Sequence, residues 1–350
     1  MKKLNIAPIA RFRSLLTLFT IALLLLAAGT ADVSAKGNKY GVFVGIENYK
    51  GENSLPGTTK DARKWQQTMI DRFGFPESNT KLLLDGDATR AGILNAIAAM
   101  AEKVQPGDLF VFTYSGHGTL WLDRFSPVRD ETEKISVDLW VGNTPRDHVV
   151  YPLDYYDAAI VPIDVGEDST GRIWGNLILD DELFSAMAPI ANKGAKVVFI
   201  SDSCHSGTIA KGELKPGEYK ARFIDPAEVL GNDALKNLKA PANQKAGPLK
   251  IKNGFYLTLS ASSDMEVSWG GPDGGLFTMM LTSFIDRSAE DAKNLSYREL
   301  HLITKALVVK LSEENAPTVQ TPQIDLFAFD VSTEDGSWAD RIFGEKIFQP

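Results

Sequence analysis

Short apolar runs alternate with segments of helical periodicity along most of the chain, and this alternation limits the possible folds more than any other feature. Tyr40–Ile46 is a β-branched and aromatic run typical of a buried strand, whereas Ile93, Ile97 and Met100 recur at helical spacing. Strands separated by helices of this length indicate a mostly parallel sheet that is covered on both faces. We therefore predict an α/β fold.

The same patterns place the other elements. Further strands are predicted at 80–84, from Asp108, from Lys196, at 255–260 and at 323–329, and regular structure is expected to return at 158–163. Helices are predicted at 61–73, from about Ala91, at 180–190, at 277–286 and from the capping box Ser296–Glu299 to about Leu311. Residues 121–156 show no regular pattern and are interpreted as an insertion.

Two of the predicted strands end in turns that carry reactive side chains. The run from Asp108 ends in Ser-Gly-His117-Gly118, and the run from Lys196 ends in Asp202-Ser-Cys204-His-Ser-Gly. In parallel α/β sheets, active groups gather at the carboxyl ends of the strands. We therefore expect the thiol and the imidazole to meet in one crevice, where a neighbouring base converts the thiol into a nucleophile.

Each residue of this pair has a structural alternative. A lone cysteine is often a buried apolar filler, but a polar turn after an apolar strand favours a presented nucleophile for Cys204. A lone turn histidine is often structural, but the glycines beside His117 allow close backbone approach and leave a peptide N–H for an oxyanion. The remaining histidines, His148, His205 and His301, are interpreted as structural.

The amino-terminal residues predict export. Residues 1–35 contain four basic residues, then the apolar stretch Leu15–Ala28, then Val33-Ser-Ala35 as a small-residue cleavage site. The apolar stretch is shorter than the roughly 20 residues that span a bilayer as a helix. We therefore expect a signal peptide that is removed, no integral membrane segment after its removal, and a periplasmic or extracellular protein.

Net charge excludes one class of partner. The chain has 37 basic and 45 acidic residues, and removal of residues 1–35 leaves 33 basic and 44 acidic residues, a net charge of −11. Nucleic-acid binding proteins carry an excess of basic residues, so no nucleic-acid partner is expected. Because the chain has a single cysteine, it forms no internal disulfide.

The motifs at both strand ends resemble those of the caspase-like cysteine peptidases, and most closely the metacaspases and their bacterial relatives. The resemblance runs from about Lys39 to Asp330 and includes further motifs in the same order. These are Leu55-Pro-Gly-Thr-Thr-Lys-Asp-Ala62, Ala158-Ala-Ile-Val-Pro-Ile-Asp164, Asp180-Asp-Glu-Leu183, Ser260-Ala-Ser-Ser263 and Gly274-Gly-Leu-Phe-Thr278.

The resemblance implies a caspase-like fold, with a mostly parallel six-stranded sheet and helices on both faces, for residues 36–350. It divides them into a large-subunit-like part at 36–206, a linker at 207–253 and a small-subunit-like part at 254–350. By the same resemblance His117 is the general base and acid, Cys204 is the nucleophile, and the N–H groups of Gly118 and Cys204 bind the oxyanion of an acyl transfer.

The resemblance also implies a specificity. The positions that form the acidic pocket of metacaspases are Asp61, Ser115 and Asp202 here, and Ser268-Trp269-Gly stands where the caspases that cut after aspartate have Ser-Trp-Arg. Two carboxylates favour a basic residue, so the expected partner is a peptide or protein that is cut after Arg or Lys. Thr58 and Lys60 depart from the metacaspase pattern, and Lys60 places a cation near the pocket.

Calcium is the one cofactor that the resemblance implies, and no organic cofactor is expected. Asp157, Asp180 and Asp181 match part of the aspartate set that binds this ion in many metacaspases, and oxygen ligands suit it. The Asp180–Asp181 pair also has a plain alternative as an ordinary acidic helix start. The oligomeric state is not indicated by the sequence.

The linker at 207–253 is rich in lysine and is predicted to be a long surface loop. An acidic pocket would make this loop the chain's own accessible substrate, so slow nicking there is expected. Two other functions remain open: a non-catalytic caspase-like binding module, and a thiol transpeptidase that uses the same dyad.

Overall fold

Five parallel strands form most of the central sheet, and their side chains alternate between its two faces. The computed structural model describes residues 37–50, 53–122, 134–141, 144–152, 156–167, 173–204, 219–224, 251, 254–263, 266–327 and 341–350. The main sheet contains β1 (Lys39–Gly45), β2 (Thr80–Leu84), β3 (Leu109–Ser115), β11 (Lys196–Asp202), β13 (Phe255–Ser260) and β16 (Gln323–Phe327), in the order β16-β13-β11-β3-β1-β2. All neighbours are parallel except β16, which runs antiparallel to β13 at one edge. The predicted six-stranded, mostly parallel sheet is confirmed.

In the part of the chain that the structure describes, five helices cover the two faces of this sheet. They are α1 (Thr58–Phe73), α2 (Arg90–Lys103), α3 (Asp180–Asn192), α4 (Leu276–Ala292) and α5 (Tyr297–Asn315). Val42 and Phe112 point into one apolar core, which includes residues of α2 and α3. Phe43 and Val111 point into the other core, with residues of α1, α4 and α5. The period-two alternation of the strands thus divides their side chains between two cores.

The region between β3 and α3 is more regular than its sequence suggested. It contains β4 (Gly118–Leu122), β5 (Lys134–Val141), β6 (Thr144–Pro152), β7 (Tyr156–Ile160), β8 (Gly166–Glu167), β9 (Ile173–Gly175) and β10 (Ile178–Leu179). β5 and β6 pair as an antiparallel hairpin, β8 pairs with β9, and β10-β7-β4 form a separate antiparallel sheet. Strands are thus present at residues 121–122, 134–141 and 144–152, where no regular pattern was expected, and the interpretation of 121–156 as an insertion stays a prediction.

The capping box that was predicted at the start of α5 is present. Ser296 Oγ accepts a hydrogen bond from the backbone N–H of Glu299 at 3.2 Å, and Glu299 Oε2 accepts one from the N–H of Ser296 at 2.8 Å. In the part of the chain that the structure describes, no helix is long and apolar enough to cross a bilayer. The predicted signal at 1–35 lies outside the described residues and stays a prediction.

Candidate active site

Two neighbouring strands bring the predicted nucleophile and base to one edge of the main sheet. β3 and β11 pair directly, and Asp202 lies opposite Ser115 at their carboxyl ends. His117 and Cys204 each follow two residues later. Because adjacent strands lie about 4.8 Å apart, the two turns face the same crevice.

The His117 ring is held so that one nitrogen is left for chemistry. Its Nε2 lies 2.7 Å from the carbonyl oxygen of Asn53, and since a carbonyl oxygen only accepts, Nε2 carries the proton. Nδ1 is buried and has no hydrogen-bond partner. Burial lowers the pKa of His117 to about 4, against the opposing effect of the Asn53 hydrogen bond. At neutral pH the ring is therefore uncharged, with its lone pair on Nδ1.

Two buried tyrosines position the backbone of the histidine turn. Tyr49 Oη accepts a hydrogen bond from the N–H of His117 at 3.1 Å, and the Tyr49 ring centroid lies 4.7 Å from that of the imidazole. Tyr114 Oη donates to the carbonyl oxygen of His117 at 2.6 Å. These contacts fix the backbone on both sides of His117.

The Cys204 thiol is fully buried and forms hydrogen bonds with the backbone of the connection that follows β13. Its Sγ donates to the carbonyl oxygen of Glu266 at 3.0 Å and accepts from the N–H of Ser268 at 3.1 Å. Cys204 also belongs to an apolar cluster with Phe223 and Trp269. Transfer of the thiol proton to any base therefore requires the thiol to leave the Glu266 carbonyl.

Part of the predicted linker lies inside this crevice. β12 (Lys220–Ala221) pairs antiparallel with β14 (Trp269–Gly271), which in turn pairs with β15 (Gly274–Gly275). The carbonyl oxygen of Arg222 accepts hydrogen bonds from the N–H of Gly118 at 2.9 Å and from the N–H of Cys204 at 3.2 Å. The two N–H groups that were predicted to bind an oxyanion thus bind the same carbonyl oxygen.

The prediction of a surface loop is accordingly wrong for residues 219–224. Arg222 has no exposed surface, and the N–H of Arg222 donates to the carbonyl oxygen of Ser268 at 3.0 Å. The backbone of β12 is hydrogen-bonded to β14, which is distant in the sequence. The local sequence pattern of the linker therefore did not predict this strand.

The Arg222 side chain fills the predicted acidic pocket. Its Nη2 lies 2.7 Å from Asp61 Oδ2, and its Nη1 lies 3.1 Å from Asp202 Oδ1. Nη1 also donates to Ser115 Oγ at 2.7 Å. Asp61, Ser115 and Asp202 are all buried, so the three residues that the sequence grouped together surround one guanidinium group.

The walls of this pocket orient its carboxylates and leave room for a long side chain. Ser268 Oγ donates to Asp202 Oδ1 at 2.9 Å, and the N–H of Gly275 donates to the Asp61 carboxylate at 3.0 and 3.1 Å. A Cβ at Gly270 would lie 2.5 Å from Arg222 Nε, and a Cβ at Gly275 would lie 2.6 Å from Arg222 Cζ. Glycine at both positions thus makes space for the guanidinium group.

Trp269 and Lys60 contribute less to the pocket than their positions in the sequence suggested. The Trp269 ring donates from Nε1 to Thr318 Oγ1 at 3.2 Å, while its backbone pairs with Ala221. Lys60 is exposed and lies 3.5 Å from Asp273, so its charge is directed to the surface.

The acidic pocket should make substrate binding sensitive to pH. Burial raises the pKa of Asp61 to about 6, against the lowering effect of Arg222. Below pH 6 Asp61 gains a proton and loses the charge that attracts a basic side chain. We expect KM for an arginyl peptide to rise several-fold between pH 7 and pH 5, while His117 stays neutral. Steady-state kinetics across this range test the prediction, and an unchanged KM would contradict it.

The predicted calcium ligands are only partly described. Asp180 and Asp181 are exposed at the start of α3, and Asp180 Oδ1 accepts a hydrogen bond from the N–H of Asp181 at 2.8 Å, as in an ordinary helix start. The side chain of Asp157, in β7, lies outside the described residues. Among the described side chains no group of three or more metal-ligating residues is present, and calcium binding stays a prediction.

Two further residues of the site, Asn53 and Arg222, were not predicted from the sequence. The carbonyl oxygen of Asn53 selects the imidazole tautomer, and a backbone acceptor leaves no mark on residue type. Arg222 was one of many basic residues in the linker; what distinguishes it is the apolar pair Phe223-Ile224 directly after it.

Comparisons with known proteins show which family this chain resembles. The family model described as metacaspase, peptidase C14 domain, matches residues 39–212. Metacaspase-6 from Arabidopsis thaliana is 26% identical over 292 residues, which cover 81% of this chain and 66% of the relative. Metacaspase-1 from Cryptococcus neoformans is 32% identical over 180 residues, which cover 49% of this chain and 32% of the relative. The chain thus spans less than two thirds of the length of either relative.

A crystal structure of a protein from Geobacter sulfurreducens has a similar fold. The TM-score is 0.58 at 20% sequence identity, and the match covers 89% of this chain and 98% of that chain. Residues 39–212 of this chain are therefore similar to the metacaspase, peptidase C14, domain, and the fold of the chain is similar to that of the Geobacter protein.

Proposed function

We propose that this chain is a cysteine endopeptidase that uses His117 and Cys204 to cut peptide bonds after arginine or lysine. One observation carries the proposal: Arg222 has its side chain between Asp61 and Asp202 while its carbonyl oxygen accepts from Gly118 and Cys204. This is the arrangement expected of a bound substrate, because the specificity pocket and the oxyanion donors engage the same residue.

The first chemical step follows from these positions. The Cys204 thiol leaves the Glu266 carbonyl, His117 Nδ1 accepts the thiol proton, and the sulfur attacks the carbonyl carbon of the basic residue. The two N–H groups stabilise the negative oxygen that forms. His117 then gives the proton from Nδ1 to the leaving amine, and a thioester remains on Cys204.

The second step restores the enzyme. His117 Nδ1 accepts a proton from water, whose oxygen attacks the thioester carbon. The new carboxyl group departs from Cys204, and the thiolate regains the proton from His117. Asn53 supports both steps, because its carbonyl oxygen holds the ring in the orientation that leaves Nδ1 available.

The chain's own first substrate in this proposal is the Arg222–Phe223 bond. Arg222 also fills the pocket of the intact chain, so an external peptide has to compete with it. Cleavage converts Phe223 into a new amino terminus and allows the two new chain ends to separate within residues 219–224, which we call the crevice segment. The intact chain is accordingly a latent form.

A matched pair of internally quenched peptides tests the specificity. The peptides differ only in having arginine or aspartate before the cut bond. Since one charge pair is worth about 4 kcal/mol at intermediate dielectric, we expect kcat/KM for the arginyl peptide to be at least about 100-fold higher. Faster turnover of the aspartyl peptide would contradict the proposed specificity.

A further inference from the structure

Burial along the crevice segment is strongly asymmetric about the Arg222–Phe223 bond. Tyr219, Lys220 and Ala221, which precede the pocket residue, are all partly exposed. Phe223 and Ile224, which follow the bond, are only 9% and 4% exposed. The site therefore encloses the residues after the bond more completely than those before Arg222.

The backbone after the bond is held as tightly as the backbone before it. Phe223 forms a parallel bridge with Gly118, and the N–H of Ile224 donates to the carbonyl oxygen of Gly118 at 2.9 Å. The buried hydroxyl of Thr119 donates to the carbonyl oxygen of Ile224 at 2.8 Å. The start of β4 thus serves as a pairing edge for two residues beyond the cut.

The two enclosed side chains have apolar surroundings. Phe223 lies in the cluster that contains Val267, Trp269 and Leu276. Ile224 belongs to one of the two main cores of the sheet. A polar side chain at either position would lose its water without gaining a partner from these apolar groups.

We propose that this site also selects its substrates by the two residues after the cut bond, and that it takes a large apolar residue followed by an aliphatic one. The inference rests on the proposed function and adds a second specificity site to it, formed by Gly118, Thr119 and the apolar groups around Phe223 and Ile224. The substrate class is a peptide with a basic residue followed by two apolar residues.

A peptide series tests this inference with the self-processed full-length chain. The parent internally quenched peptide carries Tyr-Lys-Ala-Arg-Phe-Ile, as at residues 219–224. Replacing Phe or Ile in the peptide by serine is expected to lower kcat/KM about 10-fold or more, because burial of a large apolar side chain is lost. Replacing Tyr or Ala in the peptide by serine, on the partly exposed side, is expected to change it less than about 3-fold.

A variant tests the same site from the enzyme side. Thr119→Val keeps the shape of the side chain and removes the hydroxyl that binds the Ile224 carbonyl. The comparison substrate is an arginyl dye amide, which has no residues after the cut bond. We expect Thr119→Val to lower the ratio of kcat/KM for the parent peptide to kcat/KM for this dye amide. Rescue of this ratio by Thr119→Ser would tie the loss to the hydroxyl group.

The outcomes separate the two proposals. Cleavage of all arginyl peptides at equal rates, together with an unchanged ratio in Thr119→Val, would overturn the second specificity site alone. Failure to cut any arginyl peptide would overturn the proposed function itself.

Discussion

Replacing Cys204 by alanine is expected to lower kcat/KM for an arginyl peptide by about 10,000-fold or more, and His117→Ala should have a comparable effect. In the proposed mechanism Cys204 supplies the atom that forms the thioester, and His117 Nδ1 is a buried nitrogen without a hydrogen-bond partner. The two residues act as a unit, so the double variant should lose little more than either single variant. Steady-state kinetics on purified, folded protein measure the effect.

His301→Ala is the matched control for the histidine. His301 lies on α5, which carries none of the predicted site residues, and its expected role is structural. Its replacement should leave kcat/KM within about 2-fold, as is usual for a substitution outside special sites. Substantial activity in Cys204→Ala, or an equal loss in His301→Ala, would refute the assignment of the dyad.

The second large effect is expected at the floor of the acidic pocket. Asp202→Asn keeps the shape of the side chain and removes one of the two charges that face the guanidinium group. Removing one partner of a buried ion pair costs about 3–5 kcal/mol, so kcat/KM for an arginyl peptide should fall about 100- to 1,000-fold. The selectivity for arginine over a neutral residue of similar length should fall with it.

Asp273→Asn separates this effect from general loss of charge. Asp273 lies in the turn between β14 and β15, is 90% exposed and pairs with Lys60 at 3.5 Å. An exposed pair of this kind contributes about 0–1 kcal/mol, so its loss should leave the selectivity unchanged. Equal losses in both variants would show that Asp202 does not act through the pocket, and circular dichroism confirms that each variant is folded.

The fold could be predicted from the sequence because its strands are short, apolar and buried on both faces. The ends of β3 and β11 also placed His117 and Cys204 correctly at one edge, since parallel strands that pair in register end together. Asp61 was assigned to the site only through the family resemblance, because the sequence alone does not show which part of α1 faces the crevice.

The remaining features depend on contacts that the sequence does not display. Arg222 is buried because β12 pairs with β14, 48 or more residues later in the chain. The hairpin strand β5 does alternate apolar and polar residues, with Ile135, Val137 and Leu139 at a period of two, and this pattern could have identified it.

The position of self-cleavage tests the central claim most directly. Intact-mass measurement and amino-terminal sequencing of the incubated full-length chain should reveal a new amino terminus at Phe223. Arg222→Gln should abolish this cut, whereas Lys220→Gln, two residues away and partly exposed, should retain it. Cys204→Ala should remain whole. Cleavage of the same bond in Cys204→Ala, or wild-type cuts elsewhere with the Arg222–Phe223 bond intact, would contradict the account.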